Sequence, residues 1–286
     1  MSTPLSFPTS AGHALAATLY VPAQPVKQAV LIAPATGIKR GFYRAFAEYL
    51  AAQGYGVLTF DFQGIGDSLS GSLRGNPASL VSWGSNDLPA ALDELTRHFP
   101  QARYHLIGHS AGGQLIGLMP NAHRLSSLLA VAGSSGRIAN MPMPYRAKAG
   151  TFMRLLIPAS NRAFGYARTD LVGMGGPLPR DVAAQWSRWC LGRGYVETGF
   201  GQEVKTHCYD TLDIPSLWLH ATDDEIAVKA NVDDMIRVFT RMAGRAGRRT
   251  LDPAEHGLKS IGHMNFFRRE SGALWPLAVA WLAEHS

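Results

Sequence analysis

The sequence predicts an α/β fold: a doubly wound, mostly parallel sheet carrying one inserted, mainly helical cap. Two observations carry that expectation, namely short uninterrupted Val/Leu/Ile runs and helical patterns lying between them. An apolar run without polar alternation fits a strand covered on both faces, as in a parallel sheet. Parallel neighbours need right-handed crossovers, which place helices on the sheet. A third observation is that the alternation lapses between 134 and 213.

The chain opens with apolar and polar residues alternating from Leu5 to Val21 around Ser10-Ala11-Gly12, which predicts strand, turn and strand at a sheet edge. Buried-strand runs follow at Ala29 to Ala33, Val57 to Asp61, Tyr104 to Gly108, Leu128 to Ala132 and Ser216 to Ala221. Helical patterns lie between them, from Tyr43 to Gln53 ending at Gly54, and from Ala78 to Phe99 ending before Pro100. From Ser134 to Asp213 the chain is rich in Pro, Gly, Arg and aromatics, without a clean strand signal. Helical patterns appear there at Tyr145 to Ile157 and around Asp181 to Leu191. Long insertions of this kind are usually lids or binding segments, so 134–213 reads as a cap and 1–133 with 214–286 as the core. The core pattern resumes with a helix from Ala227 to Ala243, a short strand at Arg249 to Leu251 and a final helix from Gly272 to His285.

Of 286 residues, 46% are hydrophobic and 17% charged, which excludes a disordered chain, a coiled coil and a collagen-like repeat. No apolar run reaches the roughly eighteen residues of a transmembrane helix. The net charge of +6 and pI near 9.5 raise nucleic-acid binding, which needs clustered cations. Basic residues are dense only at Arg237, Arg241, Arg245, Arg248 and Arg249. The first three read as one solvated helix face, and no stacking aromatics are interleaved, so no nucleic-acid partner is expected. Cys190 and Cys208 form no disulfide framework, and the N-terminus lacks the basic and apolar regions of a secretory signal. Both features point to a reduced, cytoplasmic protein with packed, inert thiols. Cys and His show no ligand spacing, so neither a metal nor another cofactor is expected.

The chemistry is concentrated in Gly108-His109-Ser110-Ala111-Gly112, a G-x-S-x-G pattern at the end of a predicted strand, with a small-residue helix, Gln114 to Met119, behind it. A nucleophile on so sharp a turn sits in strained backbone geometry, and glycines keep neighbouring side chains clear. The turn lifts Ser110 above the sheet at a helix start, where amides favour developing negative charge. A serine hydroxyl needs a base and an orienting carboxylate, and on this sheet the order is Ser, acid, His. Among ten histidines, His263 stands in the loop before the last helix, with His256 as its nearby rival; His109 and His220 read as lining or underpinning the site. Asp223 and Asp224 directly follow a buried strand, and Asp224 is favoured by its spacing from the strand end. The bland alternative for both acids is a helix cap.

These motifs resemble the α/β-hydrolase superfamily along nearly all of the chain apart from the cap. Phe60 to Ser68 resembles the family's D-x-x-G-x-G-x-S turn, Gly54-Tyr55-Gly56-Val57 its entry into the second core strand, and Gly262-His263-Met264 its histidine loop. In detail the chain is similar to the serine aminopeptidase and monoglyceride-lipase-like branch and its uncharacterised hydrolases. The resemblance implies Ser110 as nucleophile, His263 as general base and then acid, and Asp224 as its orienter. Asp61 and Asp67 read as holders of a structural turn.

Where the family has His-Gly after the first core strand, this chain has Ala33-Pro34-Ala35-Thr36-Gly37. Pro34 has no amide hydrogen, so the oxyanion donor beside Ala111 must be Ala35 or Thr36, with Ala35 favoured. Glu225 and Asn265 depart from the family's usual proline and glycine. The cap aromatics Trp186, Trp189, Tyr195 and Phe200 either line an acyl pocket, with Trp186 and Trp189 as the substrate contacts, or simply hold the cap together. The expected function is hydrolysis of a carboxylic ester of an apolar or acyl-bearing small molecule through an acyl-enzyme, with a homodimer left open. Amide or peptide cleavage, acyl transfer and a catalytically silent ligand-binding homologue remain as rivals.

Overall fold

The computed structural model describes residues 1–173 and 175–286. Strands β1 (Ser2–Pro8) and β2 (Ala14–Tyr20) form the antiparallel edge hairpin expected around Gly12. Next come β3 (Gln28–Ala33), helix α1 (Arg44–Ala52), β4 (Gly56–Phe60), a single turn α2 (Leu80–Ser82), α3 (Leu88–His98) and β5 (Arg103–His109). The chain continues through α4 (Ala111–Gln114) and β6 (Leu125–Val131) into the inserted segment. That segment holds α5 (Tyr145–Thr151), α6 (Ile157–Phe164), β7 (Tyr166–Ala167), β8 (Leu178–Pro179) and α7 (Arg180–Leu191). It returns to the sheet with β9 (Ser216–Ala221), α8 (Lys229–Val238), β10 (Gly247–Leu251) and α9 (Trp275–Glu284).

The eight-stranded sheet runs β1-β2-β4-β3-β5-β6-β9-β10, parallel from β4 onward. Alternate side chains of each strand feed two cores. Leu31, Leu58, Leu106 and Leu128 meet α3 and α8 on one face. Val30, Ile32, Val57, Ile107 and Leu129 meet α1 and α9 on the other. Among the described residues no helix is long and apolar enough to cross a membrane.

Four local expectations change. The helix expected from Ala78 to Phe99 is interrupted by a wide turn at Trp83–Asp87, and the one expected to end at Ile157 runs on to Phe164. The insertion also carries a strand pair, β7 against β8, that its composition hid. Finally, α8 stops at Val238, because Phe239 turns inward against Tyr209 and Trp218. The arginine stripe is therefore no single helix face. Arg237 pairs with Glu197 and Asp234, Arg245 with Asp213, and Arg248 with Asp233.

At the end of β5 the chain reverses through Ser110, which has φ 48° and ψ −114°, straight into α4. A Cβ on Gly108 would strike the backbone of Gly113, and one on Gly112 would strike the Ala33 carbonyl. Both obstacles are backbone and cannot swing aside. Gly112→Ala is expected to cost at least about 2 kcal/mol, the upper range of overpacking, read as a lowered chemical-denaturation midpoint. A wild-type midpoint would refute this account of the turn.

Candidate active site

Ser110, Asp224 and His263 come from three separate connections on the same side of the sheet. His263 Nε2 lies 3.1 Å from Ser110 Oγ, and its Nδ1 lies 2.9 Å from Asp224 Oδ2. An ionised carboxylate only accepts, so Nδ1 carries the proton and Nε2 is free to accept from the serine hydroxyl. His256 instead occupies the one-turn helix Ala254–His256. His220 sits on β9 with its Nε2 3.2 Å from Thr250 Oγ1.

The two neighbouring acids divide their contacts. Asp224 Oδ1 accepts the amides of Ile226 at 2.8 Å and Ala227 at 2.9 Å, so it also shapes its own turn. Asp223 accepts from Ser260 Oγ and from the amides of Ile261 and Gly262, which pins the loop carrying His263. Burial pushes the Asp224 carboxyl up, but the charge and hydrogen bond of His263, with the two amides, outweigh it and hold the group below the ordinary carboxylate value. Asp61, fully buried, accepts the amides of Arg40 and Asp67 and pairs with the Arg40 guanidinium, a turn-holding role.

The expected oxyanion donor needs correction. The Ala35 amide already donates to Tyr43 Oη at 2.9 Å and is not available to a substrate. The Thr36 amide has no hydrogen-bond partner among the described residues. Ala111 is the first residue of α4, where an amide has no intrahelical acceptor.

Ser110 and His263 open on a cavity of about 390 Å³ whose walls include Thr36, Met153, Tyr145 and Trp186. Trp189, expected there with Trp186, stands behind the wall: it is fully buried, edge-on to Tyr195, and its indole N–H donates to Glu203 at 2.8 Å. Phe200 stacks on His207. Tyr145, missed in the sequence, lines the cavity, and burial pushes its hydroxyl up to about 12. Cys190 also lines it, and burial raises its thiol to about 12, so it is inert at neutral pH.

The model of the alpha/beta hydrolase family matches residues 29–272 of this sequence. The chain belongs to the alpha/beta hydrolase family. No curated protein matches this alpha/beta hydrolase in sequence. Solved structures resemble its fold. A carboxyl esterase from Bacillus coagulans in complex with glycerol has TM-score 0.64 at 14% identity, over 99% of this chain and 98% of that one. A monoglyceride lipase from Saccharomyces cerevisiae, in complex with a substrate analogue, has TM-score 0.64 at 16% identity, over 100% and 95%. An esterase domain from Rhodothermus marinus has TM-score 0.59 at 20% identity, over 99% and 98%.

Because the native Asp224 value lies below that of an unfolded carboxylate, its charged form stabilises the fold above about pH 4. That contribution is lost as pH falls through the native value. Asp224→Asn should therefore flatten the acid side of the stability curve, measured as urea midpoints across pH. An unchanged slope would count against the charge pairing.

Proposed function

We propose that this chain is a serine hydrolase that cleaves a carboxylic ester of an apolar or acyl-bearing small molecule through an acyl-enzyme. The observation that carries the reading is the hydrogen-bonded line from Asp224 through His263 to Ser110, opening on a largely apolar cavity. In this reading 134–213 acts as a cap over the strand ends and supplies Tyr145, Met153 and Trp186 to the wall.

Ser110 Oγ attacks the ester carbonyl while its proton passes to His263 Nε2. Asp224 stabilises the imidazolium and keeps the ring in one tautomer. The carbonyl oxygen gains negative charge and is met by the amides of Thr36 and Ala111, each worth about 3 kcal/mol in the transition state. Collapse breaks the bond to the alcohol, which leaves with the proton held by His263. Water then repeats the sequence: it gives a proton to His263 as it attacks the acyl carbon, and collapse breaks the bond to Ser110 Oγ, which takes that proton back from His263 as the acid leaves. An apolar wall suits an acyl chain and keeps bulk water from the charged intermediate.

A fluorophosphonate probe followed by peptide mapping tests the assignment. Labelling is expected on Ser110 and is expected to vanish in His263→Ala. Ser110→Ala should lower turnover of p-nitrophenyl esters at least about a thousandfold. Ester turnover surviving that substitution would sink the reading, and products formed with added alcohols would reveal acyl transfer instead of hydrolysis.

A further inference from the structure

We propose that Tyr43 and His109 are a positioning pair that ties the oxyanion loop and the catalytic histidine to the nucleophile turn; this rests on the triad reading above. Both side chains are fully buried. Ala35 N–H donates to Tyr43 Oη at 2.9 Å, Tyr43 Oη lies 2.8 Å from His109 Nδ1, and His109 Nε2 lies 2.9 Å from the His263 carbonyl.

The two ends determine every proton between them. A backbone amide can only donate, and a backbone carbonyl can only accept. Tyr43 Oη therefore accepts a hydrogen bond from the Ala35 N–H and donates its hydroxyl to Nδ1, while His109 carries its single proton on Nε2 and donates it in a hydrogen bond to the His263 carbonyl. A doubly protonated ring would turn a second N–H toward Tyr43 and leave the tyrosine proton without an acceptor. Burial, reinforced by the charge of His263, pushes His109 down to about 3, against smaller opposing effects of the His263 carbonyl and Asp224. The rings of Tyr43, Phe267, His263 and Phe42 pack around it.

The chain of bonds is placed where errors would cost most. Ala35 precedes Thr36, His109 precedes Ser110, and His263 is the base itself. The imidazole of His263 is oriented by Asp224 and Ser110, while its backbone is held by the residue next to the nucleophile. The separation between serine and base is thus fixed from both sides of the ring. Tyr43 extends the same restraint to the loop bearing the Thr36 amide.

Nitrogen-15 NMR of the imidazoles tests the pair without relying on turnover. Wild-type His109 is expected as the neutral Nε2–H tautomer at neutral pH, with Tyr43→Phe shifting the nitrogens of both His109 and His263. In kinetics, Tyr43→Phe should lower kcat about tenfold with KM held within about twofold, as for one lost buried hydrogen bond. His109→Gln, which keeps one acceptor and one donor, should retain most of kcat, whereas His109→Phe should fall about tenfold or more, each with native circular dichroism. The opposite tautomer, a charged ring, wild-type kcat in Tyr43→Phe, or equal impairment by Gln and Phe at 109 would overturn the inference. Absence of ester turnover in the wild-type protein would sink the esterase reading alone. The pair would then stand if Tyr43→Phe shifts the His263 nitrogens and fall if it leaves them unmoved.

Discussion

At the end of β5 the backbone reverses within one residue, and the site depends on how closely α4 can lie against the sheet while that happens. Gly112 sits on the Ala33 carbonyl and Gly108 on the backbone of Gly113. A positive-φ Ser110 costs roughly 1–3 kcal/mol relative to ordinary backbone, so it persists only where the surroundings over-determine it. They do so here through buried ladders on both sides. Ser110 N donates to Val131 O at 2.9 Å, and Ala132 N donates to Leu219 O at 2.8 Å. β3, β5, β6 and β9 thereby form one rigid bed, and the loops above inherit their spacing from it.

On that bed the electrostatics are economical. A buried carboxylate without partners would protonate or destabilise the fold. Asp224 is compensated by the imidazole and by two amides of its own turn. Its neighbour Asp223 points the other way and anchors the histidine loop through Ser260, Ile261 and Gly262. Successive acids on one tight turn thus do different work: one faces the His263 imidazole, and the other holds the segment that carries His263.

Much of this was legible in the sequence because it depends on local pattern. Apolar runs predicted the parallel strands to within a few residues, and chain order with position after the strands singled out Ser110, Asp224 and His263, of which His263 lies within hydrogen-bond reach of the other two. What escaped depends on tertiary partners. Ala35 looks like a free amide until Tyr43, eight positions on, is seen to claim it. Trp186 and Trp189 lie three apart on α7, yet one reaches the cavity and the other is buried behind it against Tyr195. The end of α8 was equally hidden, since it follows from Phe239 finding room between Tyr209 and Trp218. Periodicity reports that a residue wants burial but does not say which of two cores receives it.

The apolar cavity wall has consequences for every polar group around it. In a medium that excludes water, each donor aimed at developing charge is worth more, and each polar atom left alone costs more. In the proposed reaction the Thr36 amide stands on the first side, and the Tyr195 hydroxyl stands on the second. Tyr195 is almost fully buried, has φ 53°, and its hydroxyl lies against the Thr36 side chain without completing a hydrogen bond. A strained residue carrying an unsatisfied hydroxyl is a cost the fold would shed if shape were the only requirement. Tyr195 shares the cavity wall with Thr36, Gln114 and Arg268 as well as with Met, Ala, Ile and other aromatic side chains. In the reaction proposed above, charge developing at the Thr36 amide would draw more from that donor than the ground-state ester, whose dipole is weaker.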